Sequence, residues 1–317
     1  MPRFLNRGIF VCTVGKFGVG LECSWMLSVL GVLPPLLVLS PLLKNWLLED
    51  IGRGDRTTQG LLTREIVIGQ ADWIAKDSGV IAGLPIAAHV FQILSDRVSF
   101  VGLVHEGEQC ERGQVVAQLH GPLDALLMGE RVALNLAMRL SGIATLTRKY
   151  VECIADLPAQ LVDTRKTTPG LRLVEKYAIQ MGGARNHRMG LDDAVMIKDN
   201  HIAAAGSIEA AIARIRANVP YPLTIEVETQ SLLEVESALN TGADIIMLDN
   251  MSPGQMYEAV QLIRRRSDRI RIEASGNITL ETIRPVAETG VDYISTSAPI
   301  TRSSWLDLSM NLKDIER

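Results

Sequence analysis

The chain has 317 residues, 47% apolar and 21% charged, enough apolar material for a large core, so disordered, collagenous and disulfide-scaffold proteins are excluded. Its 32 basic and 36 acidic residues leave a net charge of −4, which gives no broad footprint for nucleic acid or an anionic membrane, so any anion-binding surface must be local. Cys12, Cys23, Cys110 and Cys153 form no C-x-x-C pair or Cys/His cluster, which points away from zinc and disulfides and towards a reducing cytoplasm.

The 26 glycines and 4% aromatic residues suit a loop-rich α/β enzyme, and the length suits two domains. Residues 1–20 resemble a signal peptide only weakly, since Lys16 and Glu22 interrupt the apolar run. Residues 26–43 are apolar but carry Pro34, Pro35 and Pro41, which would break a membrane-spanning helix. The expectation is an extended apolar arm, packed on the body or on a partner subunit. Met26 is an alternative translation start that would make residues 1–25 an appendage.

From Pro41, apolar residues recur at helical spacing until Gly52 and Gly54. Strand-like segments follow at 65–71, 73–76 and 79–82, then a helix at 85–94 and strands at 98–104 and 115–120. Together they make a small α+β unit. The period becomes helical over 123–154, and Gly142 is expected to divide that stretch into two helices. Arg131, Asn135 and Arg139 form a polar seam on it, at a spacing of four, facing a wet cavity or a subunit contact.

The second half repeats a pattern: a short apolar run ending in polar or small residues, then a helix-length segment. The runs begin at Gln160, Ala194, Leu223, Asp244, Arg271 and Asp292, separated by 34, 29, 21, 27 and 21 residues. That spacing fits βα units, and polarity gathered at strand ends is the arrangement of a (β/α) barrel's active face. Six units rather than eight predict an incomplete barrel; an open doubly wound sheet is the alternative.

If the strand ends converge, Arg165, Lys166 and Lys198 bring positive charge, and Asp199, Glu228 and Asp249 bring carboxylates. Ser275-Gly276 and Ser297-Ala298 are small enough for backbone N–H groups to approach a phosphate. The glycine-rich turn 182–188 carries His187 and Arg188, and an arginine there can clamp planar carboxylates. An isolated histidine is usually a surface or core residue with a local hydrogen bond, but its place between two arginines favours a site role for His187. His201 has the weaker claim, orienting its loop. The chain has no G-x-x-x-x-G-K-[ST], no G-x-G-x-x-G after a strand and no G-x-S-x-G, so the usual NTPase, dinucleotide and serine-hydrolase sites lack support. A polyanion and a divalent cation on a barrel remain.

The segments EDIGRGDRTT (49–58), GVIAGLP (79–85), ERVALNLAMRLSGIAT (130–145), DTRKTTPGLR (163–172), GGARNHRMGLDD (182–193), IKDNH (197–201), EVE (226–228), MLDN (247–250) and EASGNI (273–278) carry a resemblance to the type II phosphoribosyltransferases, and among them to the quinolinate phosphoribosyltransferases. They run in family order from about residue 40 onwards. The resemblance implies an α/β protein with an N-terminal α+β sandwich-like domain (41–140) and an incomplete (β/α) barrel of about six parallel strands (141–300); residues 1–40 are then a poorly ordered or arm-like extension and 301–317 a tail returning to the N-terminal domain. It also implies a head-to-tail homodimer, or a higher homo-oligomer built from it, with each site shared between one chain's barrel and its partner's N-terminal domain.

The implied reaction takes quinolinate and phosphoribosyl pyrophosphate, with Mg²⁺, to nicotinate mononucleotide, pyrophosphate and CO₂ in NAD synthesis. By the same resemblance Arg165, His187 and Arg188 meet the substrate's carboxylates, with Lys166 and Lys198 nearby and Arg131 supplied by the neighbouring subunit. Glu228 and Asp249 meet the ribose and the metal, directly or through water. Lys166, Lys198, Ser275, Gly276 and Ser297 surround the phosphates, with Thr164 and Ala298 beside them; Lys166, Glu228 and Asp249 are the implied catalytic residues.

Two positions depart from the family pattern. Arg302 stands where a histidine is expected, and Asn277 where a second glycine is expected. The alternatives are a nicotinate phosphoribosyltransferase that does not decarboxylate, and a non-catalytic anion-binding relative. Arg131, Arg165, His187 and Arg188 separate them from the main reading, because they suit a ring bearing two carboxylates.

Overall fold

The computed structural model describes residues 33–62 and 67–313. The expectations for residues 1–32, and for the first two residues of the strand expected at 65–71, lie outside that range. The chain divides into two compact units, one running to Thr145 and resuming at Ser304, the other spanning Leu146–Ser303.

In the first unit, α1 (Leu36–Ile51) buries Leu39, Leu43 and Leu47 at a spacing of four, one apolar stripe of a helix. It starts five residues before the expected Pro41, so the extended reading fails for residues 36–40. Pro41 removes the donor for the Leu37 carbonyl, but Leu37 is 88% exposed, where water can serve that oxygen. Ser40 Oγ meanwhile donates to the Leu36 carbonyl at 2.7 Å. After the turn at Gly52, α2 (Arg56–Leu61) is capped by Asp55, whose carboxylate accepts the amides of Thr57 and Thr58.

The four-stranded antiparallel sheet uses β1 (Ile68–Ala75), β3 (Ser99–Gly102), β5 (Val115–Pro122) and β12 (Leu308–Leu312), in the order β12-β1-β5-β3. A separate pair joins β2 (Gly79–Val80) to β4 (Gln109–Cys110). The segments expected at 65–71 and 73–76 form one strand, β1, whose register against β5 shifts between Trp73 and Ile74. Alternate residues, Gly69, Ala71, Trp73 and Ala75, stay buried through that irregularity, so the strand is continuous where the adjacent apolar Trp73 and Ile74 suggest a break in the sequence pattern. Trp73 packs edge-on against Phe91 of α3 (Leu84–Leu94) and Phe100 of β3.

α4 (Leu123–Glu152) is one continuous helix of 30 residues, so Gly142 does not divide it. A side chain there would overlap the carbonyl oxygen of Ser304. The glycine admits the returning C-terminal segment, which goes on to pair as β12 with β1.

The second unit holds a six-stranded parallel sheet, β6 (Gln160–Val162), β7 (Val195–Ile197), β8 (Ile225–Thr229), β9 (Ile245–Asp249), β10 (Arg271–Ser275) and β11 (Tyr293–Ser295), in the order β6-β11-β10-β9-β8-β7. The connecting helices are α5 (Arg172–Met181), α6 (Asp199–Ala205), α7 (Ile208–Asn218), α8 (Leu232–Asn240), α9 (Pro253–Arg266), α10 (Ile283–Ala287) and α11 (Ala298–Thr301). A parallel bridge from Val162 to Arg185 adds a seventh, one-residue rung beside β6. β6 and β7 are at opposite edges of the sheet, yet Thr164 and Lys198, just past their ends, line the same cavity. The sheet therefore curls into an incomplete barrel, which removes the doubly wound alternative.

Candidate active site at the barrel mouth

Parallel strands feeding into helices leave their C-terminal tips as the open face of a barrel. Here the tips enclose a cavity of about 510 Å³ to which every strand, or the residues following it, contributes. Thr164, Arg165 and Lys166 follow β6, His187 and Arg188 follow the Arg185 rung, and Lys198 follows β7. Glu228, Asp249 and Ser275 occupy the tips of β8, β9 and β10. A second cavity of about 250 Å³ is lined by Ser275, Gly276, Asn277, Ser297, Ala298 and Arg302, and shares Thr164, Lys166 and Asp249 with the first.

Among the residues that sequence reasoning selected, Arg131, Asp199 and His201 line neither cavity. Arg131 belongs to the first unit, exposed and 3.6 Å from Glu130, whereas both cavities are lined by the second unit alone. Asp199 is exposed, lines neither cavity, and spends a carboxylate oxygen on the amide of Asn200. His201 orients its loop as expected: its Nδ1 accepts the amide of Lys198 at 3.0 Å.

The cationic wall is partly committed and partly open. Lys198 Nζ donates to Glu228 at 2.9 Å, and the Arg188 guanidinium donates to the Ala194 carbonyl at 2.7 Å. Arg165 Nε is buried with no hydrogen-bond partner among the described residues, an orphan donor on the wall of a polar cavity. On the acidic side, Glu228 and Asp249 lie on neighbouring strands, and Asp249 accepts from Asn250 Nδ2 at 2.8 Å. Their oxygens are the hard donors that Mg²⁺ favours. In the second cavity Gly276 has φ 105°, and a side chain there would crowd Asn250, whose N would lie 2.8 Å from the added Cβ. Asn277 takes φ 50°, the left-handed region that asparagine tolerates.

Four functional candidates escaped the sequence reading: Glu226, Glu273, Asp163 and Lys176. Glu226 and Glu273 sit two residues before Glu228 and Ser275, on the same strand faces one layer deeper. His187 Nε2 lies 3.1 Å from Glu226 and 3.4 Å from Glu273. Burial pushes the imidazole down, but the two carboxylates pull it up further, to about 10. Arg188 opposes a second ring proton, because its amide N–H points at Nδ1 from 2.7 Å and needs a lone pair there. The ring therefore holds its proton on Nε2, facing the carboxylates, and keeps a lone pair on Nδ1 for the Arg188 amide.

Asp163 and Lys176 form a fully buried ion pair. Burial pushes the Asp163 carboxyl up and the Lys176 ammonium down, each opposed by the other's charge. The pair grips the main chain of His187: Asp163 accepts its amide at 2.8 Å and Lys176 donates to its carbonyl at 2.9 Å. Period-two alternation was the signal for the two glutamates; nothing in the sequence marked the Lys176 partnership.

The arrangement can hold a polyanion beside paired carboxylates. Two family models match the chain: the N-terminal domain of quinolinate phosphoribosyl transferase over residues 50–141 and the C-terminal domain over 143–311. The chain is 60% identical over 280 residues to a probable nicotinate-nucleotide pyrophosphorylase (carboxylating) of Synechocystis sp., covering 88% of this chain and 94% of the relative. It is 39% identical over 288 residues to the nicotinate-nucleotide pyrophosphorylase (carboxylating) of Rattus norvegicus, covering 89% and 93%. The crystal structure of NadC from Streptococcus pyogenes is similar, with TM-score 0.84 and 41% identity over 90% of this chain and 99% of that one.

Proposed function

The chain belongs to the quinolinate phosphoribosyltransferase family, and from that premise we propose how its barrel mouth works. The enzyme is a pentosyltransferase of NAD biosynthesis: phosphoribosyl passes from phosphoribosyl pyrophosphate to quinolinate, with loss of CO₂, to give nicotinate mononucleotide. The observation that carries the residue assignment is one cavity joining Arg165, Lys166, Arg188 and Lys198 to Glu228 and Asp249, with the buried Arg165 Nε unpartnered.

Quinolinate brings two carboxylates and phosphoribosyl pyrophosphate several more negative charges, which would repel without fixed cations. Arg165 and Arg188 hold the ring acids, a task suited to the guanidinium fork. Lys166 and the small residues Ser275, Gly276, Ser297 and Ala298 hold phosphate oxygens, and Arg302 adds a permanent charge to that wall. Departure of pyrophosphate leaves oxocarbenium character on the ribose, which Glu228 and Asp249 stabilise. The pyridine nitrogen then bonds to the ribose carbon. The resulting positive ring accepts the electron pair released as the adjacent carboxylate leaves, and a proton from solvent takes the place of CO₂. Positioning and charge thus do the chemistry, with no dedicated base.

The hard oxygen donors of Glu228 and Asp249 would hold Mg²⁺, directly or through water, where it would neutralise pyrophosphate charge. A second copy of the chain is proposed to complete the site with Arg131. Among the described residues no helix is long and apolar enough to cross a membrane, and the cytoplasm is the proposed compartment.

Calorimetric titration tests the acid-binding wall. Quinolinate should bind wild-type protein, and Arg165→Ala should weaken it by about 1.5–3 kcal/mol, the usual worth of a hydrogen bond to a charged group. Unchanged affinity in that variant would overturn the assignment. Chelation of divalent cations should abolish turnover, and added Mg²⁺ should restore it; turnover that survives chelation contradicts the metal proposal.

A further inference from the structure

Below the cavity mouth, Glu226 and Glu273 are only 2% and 3% exposed. Two buried carboxyls so close together are expensive to keep without a partner. Among the described residues, the Nε2 of His187 is the side-chain group within 3.5 Å of both. At the other end of the ring, Nδ1 accepts the amide of Arg188. Both imidazole nitrogens are therefore engaged inside the protein, although the ring lines the cavity.

We propose that Glu226 and Glu273 are positioning residues of the acid-binding wall: they anchor the His187 ring by its Nε2–H, and the ring in turn fixes Arg188 against the cavity. The inference rests on the reading of that wall as the quinolinate site. His187 then acts on substrate through Arg188 and not by a hydrogen bond of its own. Three features of the geometry agree. The main chain of His187 is gripped at its amide by Asp163 and at its carbonyl by Lys176, so the ring hangs from a fixed point. The Arg188 guanidinium is tied to the Ala194 carbonyl, so holding its amide at the other end sets the whole residue.

The third concerns metal. The ligand atoms of His187, Glu226 and Glu273 lie within 4.8 Å of one another, close enough to hold a cation. A cation on Nε2 would need the lone pair there and the proton on Nδ1, where the Arg188 amide already points. The ring is therefore arranged to donate Nε2–H to carboxylate, an interaction stronger than one between neutral groups.

The test compares Glu226→Ala and Glu273→Ala with Glu226→Gln and Glu273→Gln, in steady-state kinetics on the full-length enzyme. Losing the anchor should raise KM for quinolinate about tenfold or more in the alanine variants, as expected for a lost charge-assisted hydrogen bond. KM for phosphoribosyl pyrophosphate should stay within about twofold. The glutamine variants keep an acceptor oxygen for Nε2–H and the side-chain shape, so they should fold and recover most of the quinolinate KM. Equal shifts in both KM values would overturn the proposal, as would glutamine variants no better than alanine. An independent reading uses ¹⁵N-histidine NMR of the ligand-free protein: wild type should show an Nε2–H of His187 protected from solvent, and the Glu226→Ala/Glu273→Ala double variant should lose it. A wild type lacking that protected proton overturns the anchor even if quinolinate is turned over. A protected proton in a protein that does not bind quinolinate would instead overturn the site reading.

Discussion

Lys176 is wholly buried on α5, and its ammonium is tolerable there only because Asp163 and the His187 carbonyl receive it. Lys176→Met would leave the Asp163 carboxylate buried without its cation, and breaking a buried pair in this way costs about 3–5 kcal/mol. Urea unfolding should show that loss, and the double variant Asp163→Asn/Lys176→Met should recover part of it; a double variant no better than the single one would contradict a pairwise origin. The same residues show what a sequence can reveal. Arg165, Lys166, Lys198, Glu228 and Asp249 were legible because each ends an apolar run where a barrel turns its polar face. Glu226 and Glu273 were hidden inside such runs, where one acid among valines and isoleucines reads as an interruption. The Lys176–Asp163 pairing joins a helix interior to a strand end and has no local signature at all.

At the scale of elements, periodicity found most strands and helices but misjudged what single residues do to them. Gly142 looked like a helix break because glycine is a poor helix former. Its role is set instead by a distant segment, Ser304, which touches the helix where a side chain would stand. Pro41 looked like a helix start, yet the helix continues upstream because the orphaned carbonyl faces solvent. β12 lies in a sequence with no strong alternation and is defined by its five-residue pairing with β1. These readings separate two glycines by experiment. Gly142→Ala should lower the melting temperature through overpacking worth about 1–3 kcal/mol. Gly254→Ala, in α9 with nothing within 4 Å of the added carbon, should leave it unchanged or raise it, through helix propensity worth up to about 1 kcal/mol. Equal melting shifts in the two variants would contradict the close approach of Ser304.

At the scale of the whole molecule, the recurrence of six strand-and-helix units was enough to predict an incomplete barrel. The one-residue rung at Arg185 was invisible, since a single bridge leaves no periodic trace. That rung matters, because it launches the loop carrying His187 and Arg188 into the cavity. The barrel thereby gathers cations beside carboxylates in one cavity, and the central proposal is that transfer and decarboxylation occur together there. The most direct measurement follows purified full-length protein with Mg²⁺ and phosphoribosyl pyrophosphate, counting CO₂ and pyrophosphate released with quinolinate and, separately, with nicotinate. The account predicts equal amounts of CO₂ and pyrophosphate with quinolinate and neither above background with nicotinate. Pyrophosphate released without CO₂, or turnover of nicotinate at a comparable rate, would contradict it.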